Sequence, residues 1–158
     1  MTLGGALAGG FIGTLLLTTG LRAATELRLT RIDLPFLLGT ALTGDRVRAR
    51  AIGYALHFLF GLLFACVYYL VFDALDEASW WLGALFGVVH SAFAGTALVN
   101  VLLPLVHPRM GTLFTSASSA PLLEPPGFML LNYGRSTPIV MLVTHAIYGA
   151  IVGAGASA

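Results

Sequence analysis

The chain has no lysine and a single cysteine, and only 9% of its 158 residues are charged. Soluble domains carry about 25% charged residues, so a water-exposed globule of ordinary composition is excluded. A net charge of +1 gives no electrostatic case for binding nucleic acid. The lone Cys66 has no partner in its own chain, which excludes an internal disulfide. All eight basic residues are arginine, which we read as a coding bias and not as a function. No metal-protease motif or phosphate loop is present, and no Asp or Glu falls inside a long apolar run. The sequence therefore offers no catalytic residue and no metal ligand set.

What is present is apolar. Hydrophobic residues make up 58% of the chain, and mean hydropathy is +0.90. A bilayer core needs about 20 apolar residues as helix. Four uncharged stretches meet this: 3–21, 51–72, 80–106 and 138–155. Helix is the expectation for each, because an open sheet leaves its backbone unsatisfied in lipid. The first stretch lacks a basic leader, so it reads as a retained helix and not as a cleaved signal. The paired Trp80 and Trp81 suit the membrane interface, and Pro138 suits a first helical turn. The expected fold is all-α, one domain: a four-transmembrane-helix bundle with the lipid bilayer as its partner.

Charge falls between the spans. Connection 22–50 holds Arg22, Arg28, Arg31, Arg46, Arg48 and Arg50. The next connection holds Asp73, Asp76 and Glu77 with no basic residue, and 107–137 holds Arg109 and Arg135. The positive-inside rule puts 22–50 and 107–137 in the cytoplasm and both termini outside. Each of these two connections carries an apolar patch, "DLPFLLGTAL" and "LLEPPGFMLLNYG", so each is expected to be partly interfacial. The second is expected to be partly irregular, given its Pro and Ser content.

The two halves rhyme. "GALAG" (5–9) opens the first span and "GALFG" (83–87) the third. Extended by fours, these become Gly5, Gly9, Gly13 and Gly83, Gly87, Ser91, Gly95, each a stripe on one helix face. The even spans carry "HFLFG" (57–61) and "HAIYG" (145–149), giving His57, Gly61, Ala65 and His145, Gly149, Gly153. The cytoplasmic words "PFLLG" and "FMLLNYG" occupy matching places. The expectation is two parallel-repeat hairpins, with His57 and His145 related by a pseudo-twofold axis at similar depth. Gly9, Gly13, Gly87, Ser91, Gly61 and Gly149 are expected to face other helices. The stripes serve equally for packing within the chain or for a homo-oligomer or partner subunit.

Three readings of the histidines stay open at this point. In the first, His57, His90 and His145 are hydrogen-bonded core residues, held by Ser91, Thr96, Thr144, Asn100, Tyr54 or a backbone carbonyl. In the second, His57 and His145 ligate haem b, with Gly61 and Gly149 seating the porphyrin. That reading needs a flat slot between the rings, unfilled by Phe58, Phe60 or Tyr148. In the third, His57, His90, Asn100 and His145 line a path through a small oligomeric transporter or channel. Asn100, four residues before Pro104, also fits a kinked helix end stabilised by local polar contacts. His107 reads as an interfacial residue at a membrane edge.

The order "GALAGGFIGTLLLT", "RIDLPFLLGTAL", "GYALHFLFGLLFACVYYLVF", then "PPGFML" and "HAIYGAIVG", resembles small bacterial four-helix integral membrane proteins of unknown function. The resemblance covers most of the chain. It implies a multi-pass protein of the bacterial inner membrane and brings no catalytic residues with it. The function expected is that of a structural, interaction or accessory subunit.

Overall fold

The computed structural model describes residues 1–110 and 123–158. Of the 107–137 connection, expected to be partly irregular, residues 111–122 with Pro121 lie outside the described residues, while Pro108, Pro125 and Pro126 lie within them. Four helices are long and apolar enough to cross a membrane. They are α1 (Leu3–Glu26), α3 (Arg46–Leu75), the third span (Trp80–Val106) and α6 (Thr137–Ser157). A short α2 (Leu34–Gly39) lies between α1 and α3, and a 3-10 segment (Phe128–Tyr133) precedes α6. Among the described residues, both halves thus run long helix, short helix, long helix.

Helix ends lie beyond the apolar runs. At its C-terminus α1 continues through Arg22 and Glu26, which pair at 2.5 Å one turn apart. α3 starts at Arg46, where the Asp45 side chain accepts the Arg48 N–H at 2.8 Å. Ser79 caps the third span by accepting from Leu82. Charges cluster at these ends because the bilayer excludes them from the middle, not because the helix stops there.

The third span is not one α-helix. It runs as α4 (Trp80–Phe93), then nine residues of π-helix (Ala94–Leu102), then α5 (Leu103–Val106). Pro104 supplies no N–H to the preceding turn, and the wider winding sits just before it. The Asn100 amide donates to the carbonyls of Gly95, Thr96 and Gly127, at 3.2, 3.0 and 3.0 Å. It ties the loosened helix to the segment before α6. That segment holds Met129 and Leu130 in the left-handed region, at φ 50° and 63°, with Leu130 buried and Met129 against Gly95.

The bundle closes on α6. β-carbons at Gly9 and Gly13 of α1 would crowd Ile151, Val152 and Tyr148 of α6. On the other face of α6, a β-carbon at Gly83 would fall on the Gly149 carbonyl, and one at Gly87 on that of His145. Glycine stripes of both odd spans therefore meet the same helix. α1 also packs on α3, with Gly10 at Ala65 and Thr14 at Gly61. The remaining seam, between α3 and α4, is filled by side chains: Phe72 stacks on Phe86 at 5.3 Å and Phe64 on His90 at 3.8 Å. The two hairpins match in element order but use their small-residue stripes differently.

Outward faces are apolar. Leu15, Leu59, Leu63, Leu70, Val89 and Ile147 are all exposed. Large contiguous apolar surface is disfavoured in water, and a hydrocarbon solvent removes that penalty. Threonines within the spans satisfy their hydroxyls on the preceding turn, as Thr14 does on Gly10 and Thr19 on Leu15.

Candidate functional site

Three histidines gather in the interior of the bundle with Tyr68 and Tyr148. Thr18 has one hydroxyl proton, which it gives to the Thr14 carbonyl at 2.6 Å. Its oxygen therefore accepts from Nδ1 of His57, 3.1 Å away. His145 donates Nδ1–H to the Met141 carbonyl at 2.8 Å, since a carbonyl only accepts. His57 and His145 thus share one arrangement, with the proton on Nδ1. His90 lies 3.3 Å from the Tyr68 hydroxyl and meets His145 edge-to-face, with ring centroids 5.0 Å apart.

Tyr148 occupies the centre. It is 2% exposed, packs edge-on against Tyr68 and His90, and its hydroxyl donates to the Gly61 carbonyl at 2.5 Å. That bond spans from α6 to α3, one turn from His57. Gly61 is covered by Thr14, and Gly149 is pressed on Gly83. The two glycines that would seat a porphyrin are therefore already against other helices, and an aromatic ring fills the space beside them. The residues present do not fit a haem between His57 and His145.

The candidate residues divide into two groups. His57, His90 and His145 lie in the core with Tyr68 and Tyr148. Asn100 lies apart, spent on the π-helix and Gly127, and does not join the histidines. Of the hydrogen-bond partners expected for the histidines, only the backbone carbonyl is used; Thr18 and Tyr68 replace the rest. Ser91 is fully buried, and its hydroxyl makes no hydrogen bond among the described residues. Gly9, Gly13, Gly87 and Gly95 are buried against neighbouring elements.

His107, expected at a membrane edge, is buried within the protein at the end of the third span. It is 3% exposed and donates Nε2–H to the Leu37 carbonyl at 3.0 Å, while its Nδ1 accepts the Arg109 N–H at 3.2 Å. Arg109 in turn donates to the Thr40 carbonyl at 2.7 Å. Together they cap the carbonyl end of α2, joining the two connections at that end of the bundle. A sequence signal was available in "HPR" directly after the third span, but nothing local reveals that its target is α2. Nearby, burial and the Glu124 carboxylate push the Tyr133 phenol up to about 12. The phenol therefore keeps its proton and donates it to the Glu124 carbonyl at 2.9 Å.

These features define a helical bundle with four helices long and apolar enough to cross a membrane, its interior closed by glycine seams and an aromatic core. No family model, curated protein or solved structure matches the chain.

Proposed function

We propose that this chain is a multi-pass protein of the bacterial inner membrane that acts as a structural or interaction subunit. One observation carries this reading. The three intramembrane histidines are engaged by groups of the bundle itself, and the buried Tyr148 packs against His90 and bonds to Gly61. A core so occupied leaves the outward faces as the working surface, toward a second copy or a partner subunit. The two hairpins are read as copies of one unit, supported by the matching positions of α2 and the 3-10 segment.

Photo-crosslinking tests this. A photoreactive residue placed singly at Leu63, Leu70 and Val89, all exposed, is expected to give a protein adduct of one defined mass from at least one face. Lipid adducts alone at all three positions would overturn the proposal. So would a Soret band in the purified protein that disappears in His57→Ala.

The proposed orientation has residues 22–50 in the cytoplasm and both termini outside. Six arginines in the first connection against none in the second support it. A C-terminal reporter that works only in the cytoplasm is expected to stay silent, and one that works only outside to be active. A strong cytoplasmic signal would reverse the orientation.

A further inference from the structure

The charged end of the α1–α3 pair holds a cleft of about 100 Å³. Arg22 and Arg50 stand on its walls, with Tyr54, Thr25, Asp33 and Leu34 among its lining. Both guanidinium groups remain accessible, with side-chain exposures of 62% and 58%. Their carboxylate partners do not exhaust them. Asp33 meets Arg50 through a single contact at Nε, 3.3 Å long, while its other oxygen caps α2 at Phe36. Glu26 meets Arg22 in an exposed pair, the kind that a better-placed anion displaces at little cost. Over 22–50, six arginines face only three carboxylates, Glu26, Asp33 and Asp45.

Beyond the cleft, α1 and α3 carry apolar side chains along adjoining faces. Phe11, Leu15, Thr18 and Arg22 fall on one face of α1 by their spacing of four, three and four. Arg50, Tyr54 and Phe58 do the same on α3. The two faces meet at the far end, where Phe11 and Phe58 pack with ring centroids 5.2 Å apart. From Arg22 to Phe11 the seam runs about 17 Å along the helix. One leaflet of hydrocarbon is about 15 Å thick, half of the roughly 30 Å core. Two cations at the cleft and about one leaflet's length of apolar face behind them match the charge and length of a single amphiphile.

We propose that this seam binds one membrane glycerophospholipid, its phosphodiester on Arg22 and Arg50 and an acyl chain along Leu15, Phe58 and Phe11. Charge and length together argue for a lipid over a free anion. Inorganic phosphate would use the mouth and leave the seam bare.

The test is native mass spectrometry of the full chain in nonionic detergent, titrated with phosphatidylglycerol. The wild type is expected to retain one lipid. Arg22→Gln and Arg50→Gln should each weaken retention about fivefold, in line with the contribution of one arginine near an anionic headgroup. Arg28→Gln, outside the cleft, should leave it unchanged. A tenfold excess of inorganic phosphate over lipid should not displace the lipid. Arg50 also holds Asp33, so Arg22→Gln carries the test if Arg50→Gln fails to fold. Retention equal to wild type in Arg22→Gln would overturn the proposal. Displacement by inorganic phosphate, or an equal loss in Arg28→Gln, would overturn it as well, by showing a free-anion site or a diffuse charge effect.

Discussion

Gly87→Leu is expected to leave no folded, monodisperse protein. A β-carbon at Gly87 would fall on the His145 carbonyl and press on Ala146, so the clash is with backbone and not with a side chain able to rotate away. Overpacking a core costs about 1–3 kcal/mol where side chains can adjust, and more where they cannot. Gly→Leu also gains helix propensity, but by less than about 1 kcal/mol, so the clash wins. The control is Gly4→Leu, on the same type of helix, where no atom lies within 4 Å of the added carbon. Size-exclusion profiles in detergent should show a sharp peak for Gly4→Leu and aggregate for Gly87→Leu. Two equally sharp peaks would mean that α4 and α6 are not in contact as described.

Tyr148→Ala should be the most damaging truncation of a side chain. Tyr148 touches α1 at Gly13, α3 at Gly61 and Tyr68, and the third span at His90. Removing a buried aromatic ring costs about 3–5 kcal/mol, because neighbours only partly collapse into the space. Tyr148→Phe keeps the ring and loses only the bond to Gly61. Hydrogen bonds between membrane helices are worth about 0.6 kcal/mol on average, so its effect should be several times smaller. Unfolding titrations in mixed micelles would separate the two. If both variants lose stability equally, the hydroxyl and not the ring is what holds the centre.

The spans were legible in the sequence because the bilayer imposes a long uncharged run on any helix that crosses it. Their ends were less so: Arg22, Glu26, Arg46 and Arg48 lie on helix beyond the apolar limits. A long charged side chain reaches the interface without breaking the helix, so charge marks the membrane edge and not the helix end. The small-residue stripes were visible from their period, but their targets were not. Period fixes which residues share a face, while the rotation of each helix decides which neighbour that face meets. For that reason neither the choice of α6 as common partner nor the Thr18–His57 pair could be read in advance. Asn100 and Pro104 marked a disturbance in the third span, yet nine residues of π-helix have no distinct composition. His107 shows the same limit: its contacts lie 70 residues back, at Leu37.

Because both glycine stripes close on α6, the order of synthesis constrains assembly. The first three spans leave the ribosome before their shared partner exists. During that interval Gly9, Gly13, Gly83 and Gly87 have no helix of this chain to meet on those faces. α1 and α3 can already pair through Gly10 at Ala65 and Thr14 at Gly61, but the glycine faces of α1 and α4 stay uncovered until α6 arrives between them. Closure of the bundle therefore waits for its last helix, and a chain truncated before Thr137 is expected to leave both glycine faces open to lipid.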